Sequence, residues 1–198
     1  MIDEMIEQII NFLDAICPMS EPLKEALRKN LRYKKIPKGQ TLLREGDTST
    51  NIYFIVKGLV KIYTINDKGE EVIIWFMMKD DVMVGVDSFF TQQPGEESIE
   101  VLKEAEVLYV SHQCLHNLYK EFPEFNLHRA VLCEKYYVQS LKREIAFKKY
   151  DCEERFRYLL RHYPGLVKEV PGNLLASYLG MTYSHFSRIR SNVLRTLQ

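Results

Sequence analysis

The chain has 198 residues, 46% of them hydrophobic and 27% charged, with 27 Lys and Arg matched by 27 Asp and Glu. That composition is ordinary for a folded globular protein and excludes a disordered chain. No apolar run approaches the roughly 18 to 20 residues of a membrane span, and Cys17, Cys114, Cys133 and Cys152 stand singly, so neither a zinc knuckle nor an iron–sulfur cluster is written locally.

The opening Met1-Ile2-Asp3-Glu4-Met5 is acidic and lacks the basic region of a secretory signal, so a cytoplasmic protein is expected. Met5, Ile9, Phe12, Leu13 and Ile16 recur at helical spacing, and Ser20-Glu21-Pro22 reads as an N-cap opening a second helix over Leu23 to Leu31. From Tyr33 to about Val110 the texture changes. Short β-rich runs are predicted over 32–36, 41–44, 51–56, 59–65, 71–76, 98–102 and 107–110. Between them sit turn residues such as Pro37-Lys38-Gly39, Glu45-Gly46-Asp47, Lys57-Gly58, Asn66-Asp67-Lys68-Gly69 and Pro94-Gly95. Their spacing suits a compact antiparallel barrel or roll.

After Ser111, a predicted N-cap, the pattern is helical apart from a break at Pro123. Leu127, Val131, Val138, Leu141 and Ile145 follow three-, four- and seven-residue steps, with Glu134 interrupting the seam. Such a stripe must be buried, either on the chain's own β domain or against a second copy; the heptad-like steps favour self-association. His112 and His116, at i and i+4, could face a metal together, but no third ligand is written nearby and they read as surface histidines. Charge is also unevenly placed: from Lys142 onward there are eleven Lys and Arg against five Asp and Glu, which suggests a polyanion-binding tail on an acidic body.

Lys148-Lys149-Tyr150-Asp151 marks a boundary, Phe156, Leu159 and Leu160 suggest a helix beyond it, and Pro164-Gly165 and Pro171-Gly172 punctuate the C-terminal stretch. The strongest signal is Asn173 to Leu197: two helical patterns, Leu174 to Leu179 and Tyr183 to Leu194, joined by a turn containing Gly180. A helix-turn-helix needs a small residue where its helices touch, a glycine free to take positive φ, and apolar anchors on the second helix. Ala176, Gly180, Phe186 and Ile189 meet that need, at successive spacings of four, six and three.

Thr182 is placed to cap the second helix. At about 100° per residue, Phe186, Ile189 and Val193 share one face while Ser184, Arg188, Ser191 and Arg195 lie nearly opposite. The N-terminal part of a recognition helix enters the major groove, so Tyr183, Ser184, His185 and Arg188 are candidates for base edges. Thr182, Ser187, Ser191 and Arg195 suit the DNA backbone and outer face, and Arg190 projects toward the core-flanking side. No P-loop, G-x-S-x-G, H-E-x-x-H or G-x-G-x-x-G is present, so no enzymatic activity is expected.

With these pieces in this order the chain resembles the Crp/Fnr family of transcription regulators over nearly its whole length. Pro37-Lys38-Gly39-Gln40, Arg44-Glu45-Gly46-Asp47, the stretch Tyr53 to Lys61 and the turn Leu179-Gly180-Met181-Thr182 carry the resemblance. It implies an α+β protein: an N-terminal antiparallel β-roll of the cyclic-nucleotide-binding type (a double-stranded β-helix) with flanking helices, a long dimerisation helix and a C-terminal all-α helix-turn-helix domain. The expected divisions are 1–123, 124–149 and 150–198. Implied partners are palindromic DNA, a second copy of the chain and RNA polymerase.

Two departures stand out. Where the family's cyclic AMP cassette places Gly-Glu and, further on, Arg-Ser, this chain has Gly85-Val86, with Ser88 close behind, and Glu97-Ser98. A carboxylate repels a phosphate, so cyclic AMP is not the expected effector, although Gly85, Val86, Ser88, Glu97 and Ser98 could line a pocket for another small molecule. No cofactor is expected, and Cys17 alone does not supply the iron–sulfur cluster known in the family. The family's β-hairpin wing after the recognition helix has no counterpart before Gln198, which would shift DNA affinity onto dimerisation and the basic helix beginning near Asp151.

Overall fold

The computed structural model describes residues 2–196; Met1, Leu197 and Gln198 lie outside the described residues, and with them the ends of two predicted segments. Two helices open the chain, α1 (Ile2–Ile16) and α2 (Glu21–Asn30). Ser20 caps α2 as expected, its side chain accepting from the backbone N–H of Leu23. The β region comprises β1 (Arg32–Ile36), β2 (Thr41–Leu43), β3 (Asn51–Ile65), β4 (Glu71–Met78), β5 (Val82–Met83) and β6 (Ser98–Ser111), with a short helix, α3 (Val86–Thr91), before β6. All pairings are antiparallel. The sheet runs β1-β6-β3-β4, with β2 on β6 and β5 on β3, and its register includes Arg32↔Tyr109, Ile62↔Trp75 and Tyr63↔Ser98.

Three features differ from the sequence expectation. The runs 51–56 and 59–65 form one strand, because Lys57-Gly58 makes an irregularity rather than a turn: the β3–β6 register shifts on both sides of Lys57, and Gly58 takes φ +123°. A side chain at Gly58 would put its Cβ 2.6 Å from Cβ of Ala105, so only glycine lets the two long strands approach. The runs 98–102 and 107–110 likewise join as β6. The interval, Lys103 to Glu106, is polar apart from Ala105, but its backbone pairs with both β1 and β3, and strand continuity is set by those partners. Short elements β5 and α3 carry too few residues to show a period.

The roll encloses Ile36, Ile55, Val60, Ile62, Met83 and Val107. On the other face of β3, beside Tyr63, Lys61 is buried between the carboxylates of Glu71 and Glu100, which compensate its charge. On one outer surface α1, α2, α4 (His112–Glu121) and the start of α5 (Phe125–Lys149) pack over Phe54, Leu108 and Val110. Ser111 caps α4, its Oγ accepting from the backbone N–H of Cys114.

The C-terminal helices are α6 (Cys152–His162), α7 (Pro164–Glu169), α8 (Gly172–Tyr178) and α9 (Tyr183–Arg195). They share one apolar cluster with Leu59, Ile73, Trp75 and Phe76 of β3 and β4. Tyr178 is central, its ring 5.4 Å from Trp75, 5.9 Å from Phe76 and 5.1 Å from Phe147, all edge-on. Burial drives its phenol pKa up.

Helix α5 serves two faces. Phe125, His128 and Ala146 are buried on the chain's own body, the Tyr136 hydroxyl accepts from the Val82 amide at 2.8 Å, and Arg143 lies 4.0 Å over the Trp75 ring. Opposite them, Leu127, Val131, Val138, Leu141 and Ile145 are all exposed. One side of α5 is therefore covered by the chain's own body, and the stripe expected to self-associate is left exposed. No described helix is long and apolar enough to cross a membrane.

Candidate nucleic-acid interface

Helix α8 ends because Gly180 adopts φ +72°, a left-handed conformation that costs glycine little. The N–H of Met181 donates to the carbonyl of Ala176 and that of Gly180 to the carbonyl of Ser177, both at 3.0 Å. These two bonds are a Schellman ending, and they turn the chain sharply into α9. Thr182 then caps α9, its Oγ1 accepting from the His185 amide at 3.3 Å. Ala176, Phe186, Ile189 and Val193 are buried at the contact, with Phe186 edge-on to Phe156 at 5.3 Å.

The outward face of α9 is open. Thr182, Tyr183, Ser184, Ser187, Arg188, Ser191 and Arg195 are exposed, while His185 is half-buried. Arg188 has no hydrogen-bond or ion-pair partner among the described residues, whereas Arg195 is held back on its own helix by the Ser191 carbonyl and Asn192 Oδ1. Arg190 is exposed and passes beside Gly172.

The basic excess is less available than its count suggests. On α6, Arg157 pairs with Glu153 at 2.8 Å, and Arg161 lies 3.8 Å from Glu154. Arg155 is structural: it donates to the carbonyls of Tyr150 and Phe147 at 2.9 and 2.7 Å and reaches that of Leu179 at 3.5 Å. One guanidinium thus joins the end of α5 to the turn before α9. Sequence reading missed this role because an arginine at a helix start looks the same whether it faces water or three carbonyls.

The five residues proposed for an effector pocket do not converge as a set. Gly85 and Glu97 do: a Cβ at Gly85 would lie 3.5 Å from Glu97 Oε2 and 2.4 Å from a methyl of Leu43. Ser88 and Ser98 are buried and committed to the fold, Ser88 Oγ accepting from the Ser49 amide at 2.8 Å and Ser98 Oγ from the Glu45 amide at 2.9 Å. Val86 is exposed. A cavity of about 240 Å³ opens nearby, walled by Leu43, Asp47, Ser49, Asn51, Tyr53 and Ile99, among others, and by none of the five. Glu97 Oε2 is buried without a hydrogen-bond partner among the described residues. Burial raises the Glu97 pKa, opposed by the backbone amide of Val86.

His112 and His116 are half-buried and stacked, with ring centroids 4.1 Å apart and His112 edge-on to Phe89. This corrects the expectation of two exposed surface histidines: each is partly covered by the other, and His112 also by Phe89. Burial, then the neighbouring His116, lowers the His112 pKa. No group of three potential metal ligands occurs among the described residues.

Residues 33–122 match the family model described as the cyclic nucleotide-binding domain. The chain is 28% identical over 170 residues to the anaerobic regulatory protein of Haemophilus influenzae, a match covering 80% of this chain and 65% of the relative. It is 44% identical over 57 residues to the fumarate and nitrate reduction regulatory protein of Escherichia coli K12, covering 29% of this chain and 22% of that one. The chain thus spans less than two thirds of the length of these curated relatives. Among solved structures, FixK2 from Bradyrhizobium japonicum superposes with a TM-score of 0.71 at 18% identity, covering 84% of this chain and 85% of the other. A Crp/Fnr-family regulator from Eubacterium rectale gives 0.67 at 15%, covering 86% and 82%.

Proposed function

Because this chain has the Crp/Fnr architecture, with a cyclic nucleotide-binding-type roll at residues 33–122, we propose that it is a sequence-specific DNA-binding transcription regulator acting on palindromic sites as a homodimer. The observation that carries the reading is the outward face of α9: an exposed polar and basic surface with the uncommitted Arg188 near its centre, mounted on a helix-turn-helix closed by Gly180 and capped by Thr182. A guanidinium free of internal partners is available to bond guanine O6 and N7 together.

In this reading residues 1–123 sense, 124–149 dimerise through the exposed stripe of α5, and 150–198 bind DNA. Tyr183, Ser184, His185 and Arg188 read bases, while Thr182, Ser187, Ser191 and Arg195 position the helix on the duplex. The protein works in the cytoplasm without catalysis, and RNA polymerase is the machinery it addresses. Cyclic AMP is not its effector. The phosphodiester lacks an arginine, meets the Glu97 carboxylate, and finds Leu43 against Gly85.

Gel retardation with random duplexes, repeated across a salt series, tests the proposal. The expected result is selection of a two-fold symmetric sequence and a steep loss of affinity with salt. Failure to retain any duplex at low salt would instead favour a signalling module whose C-terminal helices contact a protein.

A further inference from the structure

A second, smaller cavity of about 80 Å³ lies where the helical layer meets the roll, and no residue of α9 lines it. Ile9, Leu13, Leu31, Phe54, Leu108 and His128 contribute to its walls, which are almost wholly apolar. Tyr53, Tyr109, Tyr119 and Arg129 also border it, and His128 is the most deeply buried of the residues there that carry a polar group. It is 1% exposed, and its Nε2 lies 2.9 Å from the carbonyl oxygen of Cys17. A carbonyl only accepts, so Nε2 carries the proton, and in the neutral ring Nδ1 is left as a bare acceptor. That Nδ1 is buried and has no hydrogen-bond partner among the described residues.

An unpaired acceptor in an apolar enclosure destabilises the fold unless something donates to it. Water is a poor candidate, because a buried water needs two to four polar partners and these walls offer few. We propose that this cavity is a binding site for a small hydrocarbon molecule bearing one hydroxyl, whose O–H donates to His128 Nδ1 while its apolar part fills the space between α1 and β6. Size limits the class. A cavity of roughly 150 Å³ accommodates benzene, with six heavy atoms, so one of about 80 Å³ takes about three to four and is far too small for a nucleotide. Polarity selects within it: a ketone of the same shape would direct a lone pair at a lone pair, and an alkane would leave Nδ1 unpaired.

The test uses 2-propanol and acetone as matched probes, titrated into the full chain while the side-chain ¹⁵N resonances of His128 are followed by NMR. 2-Propanol is expected to bind saturably at one site, at least about 10-fold more tightly than the ketone, and to move the Nδ1 resonance upfield as a bare imidazole nitrogen does on accepting a hydrogen bond. His128→Phe should abolish the preference for the alcohol. Should that variant not fold, Ile9→Phe fills the cavity from another of its lining residues and should abolish saturable binding of both probes. Equal affinity for alcohol and ketone, an unmoved Nδ1 resonance, or undiminished binding to folded Ile9→Phe would each overturn the proposal. None of these readouts involves DNA, so their failure leaves the reading of α9 standing.

Discussion

Arg188 and Arg155 differ in sequence only by position, yet one is free at the surface and the other is spent on three backbone carbonyls. Replacing Arg188 with Ala should therefore lower affinity for the selected site by about 1–3 kcal/mol, with far less effect on non-specific duplex, in side-by-side retardation assays. Equal losses on both would reject base reading at that position. Glu97 offers a residue-scale test of a different kind. Its folded pKa is raised above the unfolded value, so the protein is favoured in acid and loses that contribution as pH rises through the folded pKa. Glu97→Gln should accordingly melt higher than the parent at pH 7.5, by about 2–4 °C at most, with the gap closing as the pH is lowered into the carboxylate range. A constant gap across pH would assign the change to packing instead.

At the scale of elements, helix starts were the most legible feature. Ser20, Ser111 and Thr182 each cap the helix expected of them, because a cap is a local bond between a hydroxyl and an amide three residues on. Thr182→Ala should cost about 1 kcal/mol, read as a lower urea midpoint at unchanged slope. Strand ends were less legible. Lys57-Gly58 carries turn chemistry, but in this fold the glycine's positive φ accommodates a shift of register within a 15-residue strand, and its missing side chain admits Ala105. Gly58→Ala is expected to destabilise the chain by about 2–5 kcal/mol, combining backbone strain with a steric overlap. A loss within measurement error in urea denaturation would mean that β3 and β6 do not approach as closely as described.

For the whole molecule, the decisive surface is the uncovered side of α5. Five apolar side chains between 41% and 57% exposed, aligned along a helix about 37 Å long, make a seam of the kind that pairs two copies. Val138→Glu should convert a dimer to a monomer in sedimentation velocity while leaving the circular dichroism of the roll intact. Affinity for a palindromic site should then fall by at least about 100-fold, since the second half-site no longer binds intramolecularly. The aromatic contact of Tyr178 with Trp75, Phe76 and Phe147 joins the C-terminal helices to the same body, and so fixes where α9 points relative to that seam.

Local residue patterns were enough to set the order of the longer helices and of the β region between them, the helix caps, the turn at Gly180 and the polar face of α9, because each depends on residues within one or two turns of one another. Long-range packing was needed to merge two pairs of runs into long strands, to bury α5 on one side and leave it bare on the other, and to commit Ser88 and Ser98 to the amides of Ser49 and Glu45 while bringing Gly85 and Glu97 together. It is also what leaves His128 with an unpaired nitrogen. These outcomes depend on contacts between residues distant in sequence, where a neighbour's backbone, rather than local periodicity, supplies or withholds the partner.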